Sequence, residues 1–183
     1  MPRVAVILAD GFEEVEAMAV IDVLRRAEID TVVAGLHDGA VTSARKVRVL
    51  VDAEIDTIQA DVFDMIVLPG GQPGSDNLKK DERVKDLLQH FAGKGKLMAA
   101  ICAAPIVLEN AGLLKGKNAT SFPSYREKLS SAIYQEKAVV VDGNIVTSRG
   151  PGTALTFGLA IVERLLGAEK AKRISEAMLV TPA

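Results

Sequence analysis

The chain has 183 residues, 49% of them apolar and 25% charged, with 22 basic against 24 acidic side chains and a formal net charge of −2. That profile fits one globular domain over residues 1–183 and excludes a disordered chain or a disulfide scaffold. Acids and bases are mixed along the chain, and with no tryptophan and only two tyrosines there is neither a basic stripe nor a stacking platform, so no nucleic acid is expected as partner.

In chain order, Val4–Ala9 is a short continuous apolar run closed by Asp10, and is read as a buried strand. It is too brief for the apolar region of a signal peptide or for a membrane span, and no later apolar stretch is long enough. No membrane partner and a cytoplasmic location are therefore expected. Glu13–Ala27 has helical spacing and ends in Arg25-Arg26, which suits a helix C-terminus. Thr31–Leu36 is a second strand, and Val41–Val51 mixes polar and apolar residues as an exposed hairpin does. Met65–Leu68 is a strand stopped by Pro69-Gly70-Gly71. Val84–Phe91 is helical, Leu97–Ile101 is a strand, and Ala103–Ala111 is a helix ended by Gly112.

Past Gly116 the pattern weakens. Ala119–Phe122 reads as a short strand, and Ala138–Val141 and Ile145–Ser148 flank the turn Asp142-Gly143-Asn144. Thr153–Leu166 is an amphipathic helix with Pro151 near its start, and Glu169–Met178 is a last helix. Strands that are apolar on both faces and alternate with helices predict an α/β fold. Its doubly wound, mostly parallel sheet has helices on both faces and a small antiparallel hairpin.

In such a sheet, ligands bind beyond the carboxyl ends of the strands, near a switch in strand order. Three features fall at that edge: Glu13, Glu14 and Glu16 after the first strand, Gly70-Gly71 after Met65–Leu68, and Cys102 after Leu97–Ile101. The segment around Cys102 resembles a Gly-x-Ser-x-Gly nucleophile elbow with alanines in the flanking positions. At a helix N-terminus its thiol is expected to ionise more readily than free cysteine. The amides of Cys102 or Ala103, with that of Gly71, would form an oxyanion hole. An inert core cysteine is the competing reading.

One of the glutamates, turned inward beside a thiolate, would be disfavoured as an anion and able to carry a proton; spacing does not choose among the three. His90 lies late in a helix that runs to the opposite sheet edge, and His37 lies several strand spacings from the elbow, so no Cys-His arrangement is expected. Ser148–Thr153 is either a pocket rim, an anion-binding helix start or a plain turn. The chain has one cysteine and two histidines, with neither a Gly-x-Gly-x-x-Gly after the first strand nor a phosphate-loop lysine, so no metal, nucleotide or other cofactor is expected.

Four segments carry a family resemblance. They are Val6–Ala9 with Glu13–Glu16, Val67–Gly71, Ala99–Pro105 and Thr147–Thr153, in order along nearly the whole chain. On these the chain resembles the ThiJ/PfpI superfamily, in the branch that holds the Parkinsonism-associated protein deglycase and its bacterial relatives. The resemblance implies a flavodoxin-like fold and a homodimer. It implies that Cys102 is the reactive cysteine, Glu16 the protonated carboxyl beside it, and Gly70, Gly71 and Ala103 the oxyanion and substrate cradle. Arg26, Arg45 and Pro151 would lie at the pocket or the dimer contact. The implied substrates are small aldehydes or glycated groups, handled by a glutathione-independent glyoxalase or a deglycase. The alternative is a redox-sensing chaperone or partner-binding protein switched by oxidation of Cys102. One departure stands out: where several members have a histidine before a proline, this chain has Phe122 before Pro123. Peptidase activity is not expected without that histidine.

Overall fold

The structure, a computed structural model, describes residues 1–180. Its centre is a seven-stranded sheet built from β1 (Arg3–Leu8), β2 (Asp30–Gly35), β5 (Ala53–Glu54), β6 (Met65–Leu68), β7 (Leu97–Ile101), β10 (Val139–Asp142) and β11 (Ile145–Ser148), in the order β10-β11-β7-β6-β1-β2-β5. Neighbours pair in parallel except β10, which joins β11 as an antiparallel hairpin. Two small sheets stand outside it. β3 (Ala40–Thr42) and β4 (Arg48–Leu50) form the expected antiparallel hairpin, and β8 (Asn118–Ala119) pairs in parallel with β9 (Ile133–Tyr134).

Six helices complete the chain: α1 (Glu14–Arg26), α2 (Gly74–Lys80), α3 (Glu82–Gly93), α4 (Pro105–Asn110), α5 (Ala154–Leu166) and α6 (Ala168–Ala177). The side chains of β1 divide between two cores. Val4, Val6 and Leu8 point to the face covered by α1, α5 and α6, while Ala5 and Ile7 point to the face covered by α3 and α4. A strand buried on both faces must be apolar throughout, which is why β1, β6 and β7 stand out in the sequence. On the first face, α5 comes so close to α1 that a methyl group on Gly158 would sit 3.1 Å from the Val23 Cβ. Among the described residues, no helix is long and apolar enough to cross a membrane.

Several elements differ from expectation, among them the two-residue strands β5 and β9, for which no strand was expected. The helix expected over Ala103–Ala111 begins only at Pro105, with Ala104 as its N-cap. The strand expected over Ala119–Phe122 is the two-residue β8, and Phe122 lies beyond it, before a 3-10 turn over Pro123–Lys128. Helix α2 is unexpected; it is short, opens on a glycine and is mostly polar. Chain order reverses between β1 and β6, and Cys102 follows β7 beside them. The crevice of the sheet therefore opens where Glu16, Gly70-Gly71 and Cys102 converge.

Candidate active site

Cys102 occupies a strained elbow. Its φ is 64°, in the left-handed region that a residue with a Cβ seldom adopts. Two hydrogen bonds hold it there: its amide donates to the Ser148 carbonyl at 2.9 Å, and its carbonyl accepts the Phe122 amide at 2.8 Å. The turn closes with Ala104 N–H donating to Ile101 at 3.0 Å. Cys102 thus sits three residues before α4, a helix of only six residues, and not on its N-terminus as expected. The amides that reach its sulfur belong to Ala103 and Gly71.

The structure separates the three glutamates. Glu13 is the N-cap of α1, and its Oε2 accepts the Glu16 amide at 2.8 Å. Glu16 is completely buried, on the face of α1 that also carries Val20, Val23 and Leu24. Its Oε2 accepts the Gly70 amide at 2.8 Å. Its Oε1 is buried without a nitrogen or oxygen partner, and the Cys102 sulfur is the polar group beside it.

Gly70 makes this approach possible. A methyl group there would lie 2.6 Å from the Cys102 Cβ and 2.7 Å from Glu16 Oε2. The Gly70 amide is thus bonded to Glu16, and of the three residues expected in the cradle it is Gly71 and Ala103 whose amides act on the sulfur.

Burial raises the Glu16 carboxyl to about 7, and the charge of Glu13 adds to that, against the Cys102 and Gly70 hydrogen bonds. Burial also pushes the Cys102 thiol up to about 12, reinforced by the charge and hydrogen bonding of the Glu16 carboxylate, while the Ala103 and Gly71 amides pull it down. Burial thus reverses the expected easily ionised thiol, and the charge of Glu16 adds to it.

The sulfur opens into a cavity of about 300 Å³ lined by Gly71, Ala103, Glu13, Arg45, Phe122, Tyr125 and Pro151, among others. Arg45 and Pro151 are thus at the pocket, and Arg45 makes no ion pair among the described residues. Arg26 is not at the pocket. It lies in the last turn of α1, ten residues or about 15 Å along the helix from Glu16, paired with Asp22 at 2.8 Å. His37 pairs with Asp10 at 3.0 Å and His90 with Asp61 at 2.9 Å, so each histidine has a carboxylate partner of its own.

Sequence reasoning missed Gln72 and Tyr125, whose side chains bond to each other at 2.8 Å on the rim. Neither stands in a periodic segment that would have marked it. A larger cleft of about 530 Å³ opens beside Met1, Lys96 and Arg164 at the opposite sheet edge. Its Lys96 and Arg164 are already bonded to backbone carbonyls.

Residues 2–164 match the model of the DJ-1/PfpI family. The chain is 47% identical over 178 residues to protein dj-1beta of Drosophila melanogaster, covering 96% of this chain and 95% of that one. It is 46% identical to protein DJ-1 homolog B of Arabidopsis thaliana over 98% of this chain, but spans only 41% of that longer protein. The crystal structure of Drosophila DJ-1beta superposes with a TM-score of 0.96 at 45% identity, covering 99% of both chains. The glutathione-independent glyoxalase DJR-1.2 of Caenorhabditis elegans is 34% identical, covering 86% of this chain and 85% of that one.

Two outcomes follow from this geometry. Gly70→Ala places a methyl group inside both side chains, and should lower stability by ~1–3 kcal/mol. An unchanged urea midpoint would mean that the approach is looser than described. The second concerns Glu16, whose ordinary value is 4.5 and whose folded value is about 7. Between these pH values the unfolded chain has released the proton and the folded chain retains it, so stability falls as pH rises through the window. Glu16→Gln abolishes that fall. From pH 4.5 to pH 8 the variant should gain about 3 kcal/mol on the parent in urea denaturation; a constant difference would contradict the raised carboxyl.

Proposed function

The chain belongs to the DJ-1/PfpI family, and from that premise we propose that it is a cysteine-dependent enzyme acting on small reactive carbonyls. Its activity would be that of a glutathione-independent glyoxalase, a deglycase of early glycation adducts, or both. The observation that carries this reading is the buried Glu16 carboxyl, raised to about 7 and set against the Cys102 sulfur. The relative named as a glutathione-independent glyoxalase supports it.

In the reactive form the shared proton sits on Glu16 Oε1, the buried oxygen that lacks another partner. There it donates to the sulfur, and the Gly71 and Ala103 amides favour the thiolate. The thiolate attacks the aldehyde carbon of a 2-oxoaldehyde. A C–S bond forms, and the carbonyl oxygen takes the Glu16 proton to give a hemithioacetal. Glu16, now a carboxylate, removes the proton from that same carbon to leave an enediolate, the hydroxyl proton passes from the first oxygen to the second, and Glu16 returns its proton to the neighbouring carbon.

The first carbon is thereby oxidised to a thioester and the second reduced to an alcohol, so no outside oxidant is needed. Water then cleaves the C–S bond, releasing a 2-hydroxy acid and the thiol. Phe122 offers no proton at the position matching the family histidine, which leaves Glu16 as the carrier.

A second copy of the chain completes the proposal. Val15 and Met18 of α1, Leu155 of α5 and Leu50 of β4 expose 52%, 36%, 38% and 78% of their surface, an apolar display that suits a homodimer contact. Exposed Arg26 is a candidate for its edge. Sedimentation should give twice the chain mass; a monomer at micromolar concentration would remove this part. The unpaired thiol suits a reducing compartment such as the cytoplasm.

The amides at the sulfur favour one other reading, a redox sensor whose Cys102 is held as a sulfinate. Lactate formation from methylglyoxal without glutathione separates the two. Cys102→Ser should abolish it, and Glu16→Gln should lower kcat by about 10²–10⁴-fold. Full activity in Cys102→Ser would remove the enzyme proposal. A thiol that readily gains two oxygens from peroxide, with negligible turnover, would favour the sensor.

A further inference from the structure

Phe12, Phe63, Phe91 and Phe157 are at most 3% exposed, whereas Phe122 is 42% exposed and lines the cavity in front of Cys102. Its place is fixed from three sides. Its amide donates to the Cys102 carbonyl at 2.8 Å, and its carbonyl accepts the Tyr125 amide at 2.9 Å. Its ring rests against Gly150, where a methyl group would lie 3.3 Å from the Phe122 Cδ2. The residue's backbone is thus tied to that of the nucleophile, and its ring, against Gly150, presents a flat apolar wall to the cavity.

The lining also has a polar part, Arg45 and the Tyr125 hydroxyl that accepts from Gln72 Nε2 at 2.8 Å. A cavity of about 300 Å³ stands at the small end of ligand sites, room for a dicarbonyl with one modest substituent.

A 2-oxoaldehyde that places its aldehyde carbon at the sulfur must direct the substituent on its ketone carbon into this cavity. In methylglyoxal that substituent is one methyl group, which covers little of the ring. A phenyl group is flat, apolar and able to pack on the Phe122 face, as aromatic pairs do. We propose that Phe122 is the specificity-determining residue of this site, selecting 2-oxoaldehydes that carry an aromatic substituent over methylglyoxal. The inference rests on the carbonyl-enzyme reading above and goes beyond it by naming the substrate class.

The test compares kcat/KM for phenylglyoxal, read as mandelate, with kcat/KM for methylglyoxal, read as lactate, both without glutathione. The wild-type chain should favour phenylglyoxal by about tenfold. Phe122→Leu keeps an apolar side chain without the aromatic face, and Phe122→Ala removes the wall. Both should bring the ratio close to one, chiefly through a higher KM for phenylglyoxal. The ratio is internal to each protein, so a general loss of activity does not mimic the result. A wild-type ratio at or below one, or a preference that survives in both variants, overturns the inference while leaving the carbonyl reading standing. Formation of neither acid overturns both.

Discussion

The site depends on a contact between two side chains that only a glycine permits. At Gly70 the backbone passes so close to Cys102 and Glu16 that a single methyl group would overlap both. The result is a dry space holding a thiol and a carboxyl, each penalised as an anion by burial. Main-chain amides, rather than cationic side chains, oppose that penalty. One amide donates to Glu16 Oε2 and two pull the sulfur toward its anionic form, so each group has main-chain donors for its charge. A carboxyl raised to about 7 beside the sulfur suits the proposed carbon-to-carbon proton transfer, because such a carrier can give and take a proton at the same place.

The sheet converts that local contact into a stable one. β6 lies between β1 and β7, so the loops after all three strands meet at one edge. A left-handed Cys102 costs of the order of 1–3 kcal/mol. It persists because its amide is tied to the end of β11 and its carbonyl to the segment after β8, elements anchored in the core on their own account. The strain lifts the sulfur out of line with β7 and toward Glu16, the direction in which the chemistry lies.

How much of this was legible in the sequence follows from which properties are local. Strands β6 and β7 match their expected bounds because burial on both faces leaves an unbroken apolar run. The strand end at Cys102 and the glycine pair follow from the same runs. The choice of Glu16 was not legible: glutamates in a first helical turn are ordinarily solvated. Only the common face with Val20, Val23 and Leu24, offsets of four, seven and eight, hints at its burial. The state of the thiol was misread because it turns on tertiary burial and on where α4 starts, neither of which is encoded next to Cys102. Arg26, which the resemblance puts at the pocket or the dimer contact, is carried away from the cavity by the length of α1. Tyr125 escaped notice because a 3-10 turn carries no apolar period.

Reactivity and selection are carried by different parts of the same segment. The bond that steadies Cys102 comes from the Phe122 amide, which any residue but proline would supply. The wall in front of the sulfur comes from the Phe122 side chain, which takes no part in that bond. On the proposed reading, the side chain at position 122 decides what the cavity welcomes, while the hydrogen bond that steadies the elbow depends on its backbone alone. With the amides and Gly70 fixed by the sheet edge, position 122 is where such a chain can change its substrate without rebuilding its nucleophile.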